Sequence, residues 1–153
     1  MTDLRWQISA FGELTTHELY ALLRLRQEVF VVEQNCVYLD LDNLDPEAVH
    51  MQCWRGQELV AYQRMLKPGL AFPESSIGRI VVASTARGLQ LGRELVSKGI
   101  DFNNREWPES NIQIGAQAHL AEFYQSLGFE PVGQQYIEDG IAHIHMIKSR
   151  EGK

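Results

Sequence analysis

Residues 77–92 place a strand, a turn of small residues and the start of a helix in immediate succession. Ile77 to Val82 is rich in β-branched residues, and a polar turn from Ala83 to Arg87 follows it. A helix is predicted to begin between Gly88 and Gly92, because the apolar positions after it continue at helical spacing. Strands that feed into helices through short turns are typical of α/β folds, so a helix-covered sheet is predicted.

The remaining segments predict further strands and two more helices. Leu4 to Ser9 alternates as a strand does, and Thr15 with Glu18 has the spacing of a capping box before an apolar helical stripe. The other predicted elements are a loop at Asn35–Pro46, strands at Met51–Arg55, Leu59–Leu66 and Ile112–Ala116, a helix at Leu120–Leu127 ending at Gly128, and a hairpin of Val132–Ile137 and Ala142–Ile147 around Asp139-Gly140. This order predicts an α/β fold with a mixed sheet and helices on both faces.

Length and composition restrict the kind of protein. The 153 residues are predicted to form one domain, 1–153, and the net charge of −6 argues against nucleic-acid binding. No apolar run approaches the roughly 20 residues that span a bilayer, and no export signal is recognisable. Cys36 and Cys53 are solitary and have no metal-ligand spacing. We therefore expect a cytoplasmic protein with reduced thiols and no membrane contact.

Acidic residues are concentrated in one part of the chain. Between Arg26 and Arg55 there is no Lys or Arg, whereas the acidic residues there are Glu28, Glu33, Asp40, Asp42, Asp45 and Glu47. One interpretation is a solvated acidic loop. The other is a negative field that attracts a cationic amine.

The turn at residues 83–92 has the features of an anion site. The first N–H groups of a helix lack intrahelical partners and favour anions, and Gly88 and Gly92 would let a pyrophosphate approach. Arg87 would add a charge-assisted contact. The alternative is that the glycines serve only helix capping and close packing. A Walker loop is excluded because Arg93 and Glu94 follow Gly92, and no G-x-G-x-x-G fingerprint is present.

Two motifs resemble those of the GNAT acetyltransferase superfamily. Residues 82–92 resemble its coenzyme A-binding motif, [RQ]-x-x-G-x-[GA], except that Gln90 replaces the middle glycine. Residues 117–129 resemble its N-x-x-A-x-x-F-Y-x-x-x-G-F segment, with Gln117 and Leu120 in place of Asn and Ala. Segments 26–36, 115–120 and 138–144 also resemble the ElaA-type branch, so the resemblance spans nearly the whole chain.

The resemblance implies the GNAT α/β fold, whose mixed and mostly antiparallel sheet has a splayed central parallel strand pair. It also implies acetyl-CoA as cosubstrate, with the pantetheine arm along the Ile80–Val82 edge and a backbone N–H near Val82 for the thioester oxygen. The residues expected to bind coenzyme A are Ile80, Val81, Val82, Arg87, Gly88, Leu89, Gln90, Leu91, Gly92, Gln117 and Tyr124.

Three residues are candidates for the chemistry. Tyr124 matches the family's general acid, although a core aromatic is the alternative. Glu33 follows the first predicted helix and is a candidate to bind the ammonium or take its proton; alternatively it is one more exposed Glu. His143 is a second candidate base. His143 and His145 share a strand face, but no third ligand has metal spacing, so no metal is predicted.

The predicted function is an N-acetyltransferase that uses direct attack by the amine. The acceptor is expected to be a small-molecule or peptide amine, and oligomeric state stays open, with a homodimer as one alternative. A non-catalytic acyl-CoA-binding sensor or interaction domain is the second interpretation. An unrelated nucleotide-binding α/β protein is the third.

Overall fold

The strands form one mixed sheet in a computed structural model that describes residues 3–150. The predicted domain's outermost residues, 1–2 and 151–153, lie outside the described part. The strands are β1 (Leu4–Ala10), β2 (Val49–Arg55), β3 (Glu58–Leu66), β4 (Ser75–Val82), β5 (Ile112–Gln117), β6 (Glu130–Glu138) and β7 (Ile141–Lys148). Their order across the sheet is β1-β2-β3-β4-β5-β7-β6, and β4 with β5 is the parallel pair. The predicted GNAT sheet is confirmed.

Helices cover both faces of this sheet, as predicted. They are α1 (Thr16–Arg26), α2 (Leu91–Glu106) and α3 (Ala121–Gln125). Alternating side chains of β2 divide between two cores, because Met51 and Cys53 pack with α2 and α3 whereas Trp54 packs with α1. The central strands are therefore covered by helices on both faces, whereas β6 is mostly exposed.

The predicted helix signals are confirmed at the start of α1 and the end of α3. Thr15 Oγ1 accepts the Glu18 N–H at 3.0 Å, and the Glu18 carboxylate accepts the Thr15 N–H at 2.9 Å. Gly128 adopts a φ of +102°, and the Phe129 N–H returns to the Tyr124 carbonyl at 3.1 Å. These bonds satisfy groups that a helix end leaves unpaired.

The chain after α1 differs from the expected α-helix. Residues 27–33 form a π-helical segment, and the N–H of Gln34 donates to the carbonyl of Val29 at 3.0 Å. The wider turn adds a residue between bonded groups, and Phe30 and Gln34 both line the cleft described below. Single π turns inside helices are frequent at functional sites.

The closing hairpin has the predicted turn. Asp139 and Gly140 have φ values of +51° and +79°, as a type I′ turn requires. Within residues 3–150, the helices are too short or too polar to cross a bilayer.

Candidate active site

A cleft of about 680 Å³ opens where β4 and β5 separate. The two strands pair only at Ser75–Ile112 and Ser76–Gln113. Further along, β4 pairs with β3 and β5 pairs with β7, so the facing edges of β4 and β5 are left open. The cleft is lined by most of the residues expected to bind coenzyme A, which are Ile80, Val81, Val82, Arg87, Gly88, Gln90, Leu91, Gly92, Gln117 and Tyr124.

Leu89 is the exception among these residues. Its side chain is 66% exposed and lies outside the cleft lining. The Leu89 side chain therefore points away from the cleft, and only its backbone belongs to the turn.

The turn between β4 and α2 presents backbone N–H groups that have no protein partner. The Ala86 N–H donates to the Ala83 carbonyl at 2.9 Å, and within the helix the Glu94 N–H donates to the Gln90 carbonyl at 3.2 Å. Among residues 3–150, no hydrogen bond occupies the N–H groups of residues 87–93. Free N–H groups and the helix dipole together favour an anion at this point.

Backbone conformation explains why a glycine is usual in the middle of the motif. Gln90 has a φ of +62°, in the left-handed region, and Gly88 has a φ of +85°. A left-handed conformation costs an L-residue about 1–2 kcal/mol, whereas glycine adopts it freely. Gln90 therefore adopts the shape of the turn at a cost in backbone strain.

The free edge of β4 includes both polar backbone groups of Val82. The Ala83 N–H donates to the Val60 carbonyl of β3 at 2.8 Å. Because adjacent residues of a strand direct their N–H and C=O groups to opposite sides, those of Val82 point away from β3. Arg87 Nε donates to the Val82 carbonyl at 3.1 Å on that side. The Val82 N–H consequently faces the cleft, in a position to bind a thioester oxygen.

Arg87 forms an ion pair with Glu33, the candidate catalytic residue in the π-helical segment after α1. Its Nη2 donates to Glu33 at 3.0 Å, and its Nη1 contacts the second carboxylate oxygen. This bidentate pair lowers the pKa of Glu33, which disfavours Glu33 as a proton acceptor. Glu33 is absent from the cleft lining. Glu33 therefore forms an ion pair beside the turn of residues 83–92 and does not line the cleft where the resemblance placed it.

Tyr124 lies at the floor of the cleft. The residue is 6% exposed, and its ring meets Phe123 and Phe129 edge-on at centroid distances of 5.1 and 6.0 Å. Burial raises the pKa of its hydroxyl to about 12, so the group remains a proton donor at neutral pH. The ring packs in the core, as one sequence interpretation predicts, and the residue also lines the cleft, while its role as an acid stays a prediction.

His143 lines the opposite wall, on β7. Its Nδ1 lies 2.8 Å from the Ile141 carbonyl oxygen. A carbonyl can only accept, so Nδ1 carries the hydrogen and a neutral ring keeps the lone pair of Nε2. Among the described residues, no hydrogen bond occupies Nε2. His143 therefore presents an available proton acceptor.

Two contacts connect the segment after α1 with the closing hairpin and β5 across the cleft, at what is called below the acceptor end. Cys36 Sγ donates to the Asp139 carbonyl at 2.9 Å, and Gln117 Nε2 donates to Gln34 Oε1 at 3.3 Å. Cys36, Gln34 and Asp139 were not predicted as site residues. Only the resemblance of segments 26–36 and 138–144 to one family branch could have indicated them.

The acidic loop is neither fully solvated nor a source of strong negative field. Arg26 is fully buried and bonds Asp40 and Asp45, each at 2.8 Å. The other ion pairs of this buried cluster join Arg64 to Asp42 and Asp45, and Arg79 to Asp40 and Asp42. The charges of these three aspartates are compensated inside the fold, so both sequence interpretations are wrong for them. Their arginine partners come from distant parts of the chain.

No group of three His, Cys, Asp or Glu side chains that could hold a metal ion occurs in residues 3–150. His143 and His145 instead face a tyrosine ring between them, at centroid distances of 5.7 and 4.7 Å.

Comparisons with known proteins identify the family. The acetyltransferase (GNAT) domain family matches residues 24–150. Protein ElaA of Escherichia coli is 46% identical over 147 residues, which cover 95% of this chain and 96% of that protein. The crystal structure of Escherichia coli ElaA superposes with a TM-score of 0.90 at 44% identity, covering 96% of this chain and all of that one.

A crystal structure of an acyl-CoA N-acyltransferase from Pseudomonas aeruginosa is similarly related. It superposes with a TM-score of 0.92 at 42% identity and covers 96% of this chain and 100% of its own. Family, sequence and structure comparisons agree across almost the entire chain. The chain belongs to the GNAT acetyltransferase superfamily, in its ElaA-type branch.

Proposed function

We propose that this protein is an acetyl-CoA-dependent N-acetyltransferase that acts on a cationic amine by direct attack. The observation that carries the proposal is the run of unoccupied N–H groups at residues 87–93, next to the open β4 edge at Val82. That arrangement suits a diphosphate followed by an extended pantetheine arm, which would add to β4 as a strand does. Tyr124 and His143 line the same cleft.

Acetyl-CoA supplies an acetyl group activated as a thioester. His143 Nε2 takes one proton from the ammonium, which frees the nitrogen lone pair that attacks the thioester carbon, and the second proton of the nitrogen passes to solvent once the C–N bond has formed. The Val82 N–H stabilises the negative charge that develops on the carbonyl oxygen. Tyr124, kept protonated by its pKa of about 12, donates its hydroxyl proton to the sulfur as the C–S bond breaks, so coenzyme A leaves as a free thiol and the tyrosinate regains a proton from solvent.

Direct attack is supported by the state of the cysteine in the cleft. Cys36 Sγ donates a hydrogen bond to a backbone carbonyl, so it is held as a thiol rather than as a nucleophilic thiolate. His143 also binds a carbonyl rather than this thiol. The amine itself is therefore the nucleophile in the proposed reaction.

The acceptor is proposed to be a cationic small-molecule or peptide amine. Glu138 and Asp139 of the closing hairpin line the cleft, and within the described residues neither side chain forms an ion pair. They replace the aspartates of the acidic loop as the source of negative potential. We also propose a cytoplasmic location, because Cys36 and Cys53 are both free thiols.

The test follows free thiol release from acetyl-CoA across a panel of polyamines, amino acids, aminoglycosides and peptide amines. We expect one class of amine to produce stoichiometric thiol and acetylated product. In Tyr124→Phe, kcat on that amine is expected to fall about 100-fold or more, because a positioned acid contributes about that much. Tyr20→Phe is the matched control, since Tyr20 is 69% exposed and lies outside the cleft.

A full rate in Tyr124→Phe would remove Tyr124 from the acid role. Binding of coenzyme A without thiol release from any amine would support the non-catalytic acyl-CoA-binding alternative instead.

A further inference from the structure

Three rings from two strands are stacked beside the acceptor end of the cleft. Tyr136 of β6 lies between His143 and His145 of β7, with interplanar angles of 26° and 24°. Phe72 closes the far end of this row, meeting His145 edge-on at 5.5 Å. The row therefore extends from a surface loop to a residue of the cleft wall, and His143 is its end ring.

Space for the central ring depends on a glycine of β5. A Cβ added at Gly115 would lie 3.0 Å from the Tyr136 hydroxyl oxygen, which is closer than ordinary contact. Gly115 pairs with His145 across β5 and β7. The absence of a side chain at Gly115 thus lets the Tyr136 ring lie flat between the two histidines.

The row and the backbone constrain His143 in complementary ways. The Ile141 carbonyl fixes the hydrogen on Nδ1, while the Tyr136 face restricts rotation of the imidazole about its side-chain bonds. An imidazole without the stacked ring could rotate away from the Ile141 carbonyl and lose the preference for one tautomer. Both constraints are needed to keep the Nε2 lone pair directed at one point.

We propose that Tyr136 is a positioning residue that holds His143 in the Nδ1–H tautomer and in the orientation of a general base. The catalytic part of this proposal rests on the proposed function, in which His143 takes the proton of the amine. Tyr136 touches neither reacting group and acts only through the imidazole. Its hydroxyl forms no hydrogen bond among the described residues, so we assign the positioning of His143 to the stacked ring and not to the hydroxyl.

The first test measures the tautomer directly and needs no substrate. Long-range proton–nitrogen NMR spectra at pH 8.5, where an ordinary imidazole is neutral, distinguish Nδ1–H from Nε2–H. His143 is expected to give Nδ1–H signals in the wild type and in Tyr136→Phe, and averaged tautomer signals in Tyr136→Ala. His143→Gln assigns the signals, and His119→Gln serves as control because His119 is exposed and outside the cleft lining.

The second test measures turnover on the best amine of the panel. We expect Tyr136→Ala to lower kcat about tenfold, as loss of one aromatic pair predicts, with the KM for acetyl-CoA unchanged. Tyr136→Phe is expected to retain the wild-type kcat. Gly115→Ala should lower kcat by displacing the Tyr136 hydroxyl, and the double variant Gly115→Ala with Tyr136→Phe should restore it.

Unchanged His143 signals in a folded Tyr136→Ala variant would overturn the proposal, as would a Phe variant damaged as much as the Ala variant. Thermal stabilisation by coenzyme A shows whether each variant is folded. A wild-type protein without thiol release would defeat the proposed function, whereas the NMR spectra would still decide the positioning of His143.

Discussion

At the scale of single residues, the guanidinium of Arg87 has a carboxylate partner where the proposal requires a phosphate partner. Glu33 holds it from the π-helical segment, and the free N–H groups of residues 87–93 lie beside it. A diphosphate bound to those N–H groups would compete with Glu33 for the same guanidinium. Glu33 is therefore expected to weaken coenzyme A binding rather than to catalyse proton transfer.

Replacing Glu33 by Gln tests this competition. An exposed ion pair contributes at most about 1 kcal/mol, so Glu33→Gln is expected to tighten coenzyme A binding by up to about fivefold, with kcat preserved. Isothermal titration calorimetry measures the affinity. The control is Glu28→Gln, which removes the partner of Arg24 in another exposed pair, outside the cleft lining. A large loss of kcat with unchanged affinity would instead restore Glu33 as the base.

At the scale of elements, α2 contains two glycines that are expected to serve different properties, one coenzyme A binding and the other folding. Gly92 lies in the first turn of α2, and a Cβ there would make only an ordinary 3.8 Å contact with Val82. Gly99 lies on the same helix, but its Cβ would come 2.5 Å from Gln63 Nε2. That amide donates to the Leu95 carbonyl in the core. The two glycines are therefore required for different reasons.

Gly92→Ala is expected to preserve or raise the free energy of unfolding, because glycine costs a helix roughly 0.5–1 kcal/mol relative to alanine. Its new methyl group would lie near Val82, beside the turn of residues 83–92, so stabilisation by coenzyme A should be reduced. Gly99→Ala is expected to lose roughly 1–3 kcal/mol of stability through overpacking. Denaturant unfolding with and without coenzyme A measures both. Full coenzyme A stabilisation of Gly92→Ala would show that the cofactor does not approach this position.

Most elements could be predicted because local patterns determine them. The capping box at Thr15, the Asp139-Gly140 turn and the C-terminal Gly128 each concern a few neighbouring residues, and all formed as expected. The π-helical segment could not be predicted, because its apolar spacing is compatible with an ordinary helix. The shape of the Gln90 turn was likewise visible only as a departure from a family motif.

Residues that line the cleft could be predicted where they belong to a contiguous sequence motif. The strand–turn–helix at residues 77–92 and Tyr124 were found, whereas the Arg87–Glu33 pair joins residues 54 positions apart. The row around Tyr136 also combines separate strands and a loop. Contacts of this kind depend on which strands are neighbours in the sheet. The sequence pattern predicted a mixed sheet but not the order of its strands.

At the scale of the whole molecule, the buried ion pairs hold the acidic loop of residues 35–46 to the sheet. Arg26 belongs to α1, Arg64 to β3 and Arg79 to β4, and all three converge on aspartates of residues 40–45. Tyr38, which lines the cleft, donates to Asp40 at 2.9 Å. Buried charges of this kind specify position, because each is costly unless every partner is in place. The loop is thereby fixed as a wall of the cleft.

The most direct test is thermal unfolding of the whole protein with coenzyme A, ATP and NAD in parallel. A ligand selective for the native state stabilises it by about 2.7 kcal/mol at 100 times its dissociation constant, which is a rise in Tm of several degrees. We predict this rise for coenzyme A and not for ATP or NAD. No rise with coenzyme A, or an equal rise with the two nucleotides, would contradict a diphosphate and pantetheine site at residues 80–92.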